Sequence, residues 1–269
     1  MPPRWELSQG VYSSRSDVEI GGRTGRNYPK SACCSAALLP NQAPVARELR
    51  IGQTRGVTTI ELTGRSISHF TRVARIFAHE LDVEVRFKPI LDLTVLDPAI
   101  YGDNPALKMP TLHVDGSALF GTENICRRLA ELSPRQARIV WPQELGSDLA
   151  RNAQELLWHA MAAQVQIITG NILGKLPADN VYFVKGRQGF EGALAWLEKN
   201  LSAVLAELPP ERELSLFEVV LFCLVEHIPV RGTLSLEPYS QLRAFASRFG
   251  LRPSAVATPY VLDAKPAAS

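Results

Sequence analysis

The sequence predicts two units in series, a small α/β unit of mixed sheet followed by an all-helical one. Three observations predict this. Between Val57 and Leu132, short strand-like runs alternate with segments of helical apolar spacing. The stretch 133–147, "SPRQARIVWPQELGS", carries Pro and Gly and reads as a linker. Beyond it only helical spacing recurs.

Taken in order, "VTTIEL" from Val57 is β-branched and reads as a strand, and "TGRSISH" as a polar turn. "FTRVARIFAHEL" places Phe70, Val73, Ile76, Phe77 and Leu81 at helical spacing. "VEVRFKPI" alternates Val83, Val85 and Phe87, a second strand. From Asp92 to Pro105 the chain is loop-like with room for one helical turn. "MPTLHVDGSALF" predicts a hairpin, with runs at Thr111–Val114 and Ala118–Phe120 about the Asp115-Gly116 turn. A helix then starts at Thr122, with Ile125 and Leu129 on one face.

In the second unit, Asp148–Thr169 reads as a helix through Leu149, Leu156, Leu157 and Met161. Phe190–Leu208 is another, stopped by Pro209-Pro210. Ser215-x-x-Glu218 has capping-box form and opens the apolar "LFEVVLFCLVEH". Tyr239–Phe249 closes the set, with Gly250 placed as its C-cap. The domains are thus 56–133 and 146–256.

Residues 1–55 differ. Residues 1–56 hold a surplus of four positive charges, are rich in Gly, Ser, Pro and Arg, and lack apolar periodicity. The reading is a disordered extension, because such a stretch buries too little surface to offset its ordering entropy. A transit peptide and a start placed too far upstream stay open as alternatives; a secretory signal has no apolar stretch to support it.

Composition excludes several classes. With 29 basic and 27 acidic residues, the net charge of +2 does not favour nucleic-acid binding. The longest apolar run, Val219–Val225, is far short of the roughly 18–20 residues that span a bilayer. The 46% hydrophobic content suffices for a core. Cys33, Cys34, Cys126 and Cys223 show no CxxC or zinc spacing, so no metal is expected. They read as reduced thiols of a cytoplasmic protein.

Four segments, in order, resemble the glutathione S-transferase superfamily. "NPALKMPTLHVDG" is similar to the family's Asn-Pro-x-x-Lys-Val-Pro-x-Leu, and "LFGTENICRRLAE" to the Ser- or Thr-opened helix that follows. "LSLFEVVLF" resembles the capping box of the core helix, and "LRAFASRFGLRPSAVATPY" the closing helix and its Arg-Pro-Ser tail. The likeness covers about Val57 to Tyr260. It implies a thioredoxin-like N-terminal domain, an all-α C-terminal domain, glutathione as co-substrate and a homodimer. The implied activity is attack of glutathione thiolate on a small apolar electrophile, a detoxification reaction. A non-catalytic binding or regulatory protein of the same fold is the alternative, and a glutathione-dependent isomerase or lyase a third. Two departures matter: Gly121 stands where the family has an acid or Gln, and Arg65-Ser66-Ile67-Ser68-His69 replaces its Ser-Pro, Tyr or Cys-Pro turn.

The implied site is Ser68 for thiolate stabilisation, with Ser66 as the alternative in the same turn. Lys108, Met109, Pro110 and Thr122 would hold glutathione. Pro110 after Met109 is expected to be cis at a strand start. Thr122 is expected both to cap its helix and to meet the γ-glutamyl carboxylate at the positive helix end. Lys108 would meet a ligand carboxylate or solvent. His69 is expected to sit solvated at a helix start rather than act as a base. Trp158, Met161 and Trp196 are candidates for the apolar substrate wall, though core packing is the commoner role at such spacing.

Overall fold

The structure is a computed structural model that describes residues 59–264. The expected disordered extension, with Cys33 and Cys34, lies outside these residues.

The α/β part runs β1 (Ile60–Gly64), α1 (His69–Glu80), β2 (Arg86–Pro89), a 3-10 turn (Pro98–Tyr101), β3 (Thr111–Val114), β4 (Ser117–Phe120) and α2 (Thr122–Leu132). The sheet order is β2-β1-β3-β4. β1 and β2 are parallel, while β3 and β4 are antiparallel to their neighbours. This is the thioredoxin-like arrangement the resemblance implies. Leu62 and Leu112 pair across β1 and β3 and are buried against Val73, Ile76 and Phe77 of α1 and Ile125 and Leu129 of α2. That burial is what the 3.6-residue spacing of both helices provides for. Asp115 and Gly116 both adopt positive φ, as a two-residue hairpin turn requires.

The second strand is shorter than its alternation predicts. α1 ends with Asp82 in the left-handed region at φ 53°, and Val83 N–H donates back to Ala78 O at 2.9 Å. This closing turn uses Val83 as a lid on the helix end, so pairing with β1 starts only at Arg86.

The second part is built from α3 (Asp148–Ile167), α4 (Val181–Glu207), α5 (Leu216–Arg231), α6 (Ser240–Phe249) and α7 (Pro253–Ala257). α3 passes into a π-helical segment, Ile168–Leu173, and α4 begins nine residues earlier than expected, capped by Asn180. The expectation of helices alone is corrected in one place. Ile139–Val140 (β5) and Leu214–Ser215 (β6) form a two-residue parallel pair. The capping box is also corrected: Ser215 occupies the N-cap without a side-chain bond, and its Oγ is buried without a partner. Glu218 is instead taken by Arg212 through two bonds of 2.7 and 2.8 Å, which leaves it unable to reach back.

α5 is apolar on all sides because it is enclosed on all sides, with Val219 to Val225 almost fully buried. Cys126 and Cys223 are buried free thiols, as expected. The C-terminal tail locks α1 to this core. Arg252 clasps Glu80 through two 2.7 Å bonds, and Ser254 also donates to that carboxylate. The Arg72 guanidinium lies 4.7 Å from the Phe222 ring centre and 4.2 Å from that of Tyr260. The Arg-Pro-Ser tail is therefore a structural clamp.

Candidate active site

The sheet register gathers the expected site residues at one edge. Thr111 pairs with Thr63 on one side and Phe120 on the other. The end of β1, the start of β3 and the start of α2 therefore meet there. The N-termini of α1 and α2 open at the same edge, presenting orphan N–H groups and positive dipole ends. β1 can end flush against α1 because its last residue is glycine: a Cβ on Gly64 would lie 2.5 Å from Thr71 Oγ1.

Ser68 is the N-cap of α1, and its Oγ accepts from Thr71 N–H at 3.3 Å. A hydroxyl that accepts this bond keeps its own proton to donate. Ser68 is half-buried and lines a cavity of about 190 Å³, together with Met109. Ser66 does not line it; it is buried, and its N–H donates to Asp263 Oδ2 at 2.8 Å. The Met109–Pro110 peptide bond is cis, as expected. Asn104 fixes the approach to it, donating to Lys108 O at 3.0 Å and accepting from Ala106 N–H. Lys108 itself is exposed and outside the cavity.

Thr122 is buried at the first helical position of α2, not at the cap. The cap is Gly121 at φ 87° and ψ 128°, with no side-chain bond to the helix. The expectation that Thr122 caps its helix is therefore corrected. The backbone conformation explains why glycine stands there, since other residues are strained at this φ. Neither Thr122 nor Pro110 lines the cavity, although the register places both beside Met109's end of β3.

His69 is the largest correction. It is 1% exposed rather than solvated. Its Nδ1 lies 2.8 Å from Nδ1 of His227 on α5, and Gln164 Oε1 on α3 lies 2.8 Å from the same His227 atom. His227 Nε2 donates to Ile67 O at 2.9 Å, so in the neutral ring Nδ1 carries the lone pair. The proton at the centre then belongs to His69 Nδ1, which donates toward both His227 Nδ1 and Gln164 Oε1. His69 Nε2 remains buried without a partner. Burial, then His227 beside it, drives the His69 pKa well below its usual value. Burial likewise lowers His227 to about 4, against a raising effect from its bond to Ile67. Both rings are therefore neutral at pH 7. No spacing in the sequence pointed to His227, Gln164, Arg65 or Arg231, all of which the fold brings to this place. The cavity wall mixes apolar side chains with Arg65, Arg231 and Thr169, and the expected Trp158, Met161 and Trp196 are not in it. Met161 is buried, Trp158 stacks on Phe70 at 6.1 Å, and Trp196 packs on the core. A larger depression of about 520 Å³, between the outer side of α1 and β2, contains none of the site residues.

Residues 62–137 match the family model described as the N-terminal domain of glutathione S-transferase. The chain carries this domain within the glutathione S-transferase fold. Among solved structures, a glutathione S-transferase from Methylobacillus flagellatus KT with glutathione bound aligns with a TM-score of 0.60 at 21% identity, over 76% of this chain and 100% of that one. One from Methylobacterium radiotolerans JCM 2831 in complex with glutathione sulfonate gives 0.62 at 19%, over 78% and 100%. A glutathione transferase family member from Pseudomonas fluorescens Pf-5 with bound glutathione gives 0.61 at 21%, over 74% and 98%. Comparison with curated proteins gives no match. Among the described residues no helix is long and apolar enough to cross a membrane.

Ser68 is followed by His69 in place of the Pro of the family's Ser-Pro form, and that His is tied into the helical domain.

Proposed function

We propose that the protein is a glutathione transferase that adds glutathione thiolate to a small apolar electrophile. The observation that carries this is Ser68, a cap whose oxygen is engaged and whose proton is free, at a cavity it shares with the residue preceding the cis proline. Its hydroxyl donates to the thiolate of glutathione and so favours the ionised form. The first N–H groups of α1 act in the same sense through their dipole. Thiolate attack on the electrophile forms the C–S bond and expels the leaving group, or adds across a double bond whose carbanion then takes a proton from water. Glutathione would lie along the edge of β3 with its γ-glutamyl carboxylate at the start of α2, near Thr122, and with Met109 offering its backbone. Lys108, exposed beside this edge, would meet a carboxylate of the tripeptide. The solved relatives with glutathione or its sulfonate bound support this choice of co-substrate. The reading includes a homodimer, a detoxifying role and a cytoplasmic setting, the last supported by two buried reduced cysteines.

One observation favours a second reading, a binding or regulatory protein without turnover. Gly121 supplies no side chain where the family has an acid or Gln, which weakens recognition of the γ-glutamyl group. Retention on immobilised glutathione, followed by turnover of a neutral chloronitroaromatic, separates the two. Retention with turnover supports the transferase, retention alone the binder, and neither would overturn the glutathione site.

A further inference from the structure

Two arginines stand on the cavity without counter-charges. Arg65, in the turn after β1, and Arg231, in the last turn of α5, both line it and are both half-buried. Among the described residues neither guanidinium has an ion pair, and Arg65 Nε is buried without any hydrogen-bond partner. No Asp or Glu lines the cavity. Most of the remaining wall is apolar, including Leu93, Val165, Ile168, Leu173 and Leu262, with Ser68, Thr169 and the two histidines among it. His69 and His227, which also line the cavity, are neutral, and the Asp263 carboxylate nearby is bonded to Ser66 N–H and forms no ion pair with either arginine.

Elsewhere Arg86, Arg127, Arg135, Arg212 and Arg252 are ion-paired, while Arg72 and Arg75, which have no ion pair, lie over the rings of Phe222, Tyr260 and Phe87. Removing a guanidinium from water is costly without an anion or hydrogen-bond acceptors to replace the solvent. Burial lowers the Arg231 pKa, and the positive charge of Arg65 lowers it further, so the two cations act on each other. An anion between them relieves both effects. Arg also presents a planar fork suited to carboxylate oxygens.

We infer that Arg65 and Arg231 form a recognition pair for an anionic group on the second substrate, so that the preferred electrophile is a small apolar carboxylate rather than a neutral hydrocarbon. The volume of about 190 Å³, below the roughly 300–1,000 Å³ of drug-sized pockets, admits one ring or a short chain. The inference takes from the transferase reading only the identity of the cavity as the second-substrate site.

The test uses the full chain and a matched pair of unreactive probes, 4-nitrobenzoate and its neutral methyl ester, titrated calorimetrically with and without glutathione. Glutathione affinity is measured separately. The benzoate should bind about tenfold more tightly than the ester, the size expected of one charge-assisted bond. Arg231→Gln and Arg65→Gln should each remove most of that preference while ester and glutathione affinities hold, and Arg231→Lys should keep part of it. Equal binding of the two probes to the wild type would overturn the inference. So would variants that lose glutathione affinity but keep the benzoate preference, since the arginines would then serve a glutathione carboxylate. A benzoate preference in a chain that does not bind glutathione would uphold the anion site and sink the transferase reading. Glutathione binding without a benzoate preference would do the reverse.

Discussion

Replacing His227 with Gln should flatten the acid side of the stability profile by an amount the structure sets. In the folded protein the His227 pKa is held at about 4 by burial, whereas an unfolded chain titrates this side chain near 6.5. Below pH 6.5 the unfolded state takes up a proton that the native state refuses. Stability therefore falls as pH falls, by about 1.4 kcal/mol per pH unit, until the native pKa is reached. Between pH 8 and pH 5 that amounts to about 2 kcal/mol from this one ring. His69 acts in the same direction, and the touching pair titrates as a unit. Urea unfolding of wild type and His227→Gln at pH 8, 6.5 and 5 measures the effect. Gln can place an amide donor near the Nε2 position that serves Ile67 O but does not titrate, so the variant should be less stable at pH 8 and lose much of that deficit by pH 5. A gap that stays constant across the three pH values would refute the assignment of a buried, neutral His227.

Other outcomes follow from the same geometry. Ser68→Ala should raise the pKa of bound glutathione by roughly one unit, the equivalent of about 1.4 kcal/mol, and Ser66→Ala should not move it; thiolate absorbance titration reads both. Thr122→Ala should cost less stability than the ~1 kcal/mol of a lost cap, because Gly121 holds the cap position, yet should weaken glutathione binding about tenfold. Glu80→Gln should cost about 1.5–3 kcal/mol in chemical unfolding, since it breaks the clasp on Arg252. Burial alone would raise the Glu80 carboxyl, but bonds from Arg252 and Ser254 hold it below its usual value, so its contribution persists at neutral pH and is lost as pH falls through that lowered value.

Periodicity carried the fold well because each element has one dominant burial requirement. Phe70 to Leu81 repeats at helical spacing since one face of α1 meets the sheet, and the Asp-Gly hairpin is written in two residues. The errors arose where a distant partner outbid a local rule. Ser215 and Glu218 have the spacing of a capping box, but Arg212 holds the carboxylate. Val83 alternates with Val85 and Phe87, yet it serves the end of α1. The site divides in the same way. The helix-start position of Ser68 and the cis bond between Met109 and Pro110 were legible because they follow from strand ends and turns close by in sequence. His69 was not, because its environment is made by His227, 158 residues away, and by Gln164. A polar residue at a helix start is ordinarily solvated, and only the packing of α3 and α5 over that start makes this one internal.

The burial of His69 also bears on how the site is held. In the family's Ser-Pro form, the residue after the serine has no N–H to offer at the first helical position. His69 retains that donor, so the start of α1 gains one more orphan amide beside Ser68. What proline supplies through its fixed φ must then be supplied by something else. Here the imidazole does it, reaching His227, which in turn fixes Ile67 O. The turn from Arg65 to Ser68 is thus anchored by the helical domain rather than by its own covalent stiffness. This works only while the rings are neutral. A charged His69 would sit at the positive end of α1 and beside Arg231, and both oppose it. The low pKa of the pair and the placement of Ser68 are consequences of the same packing.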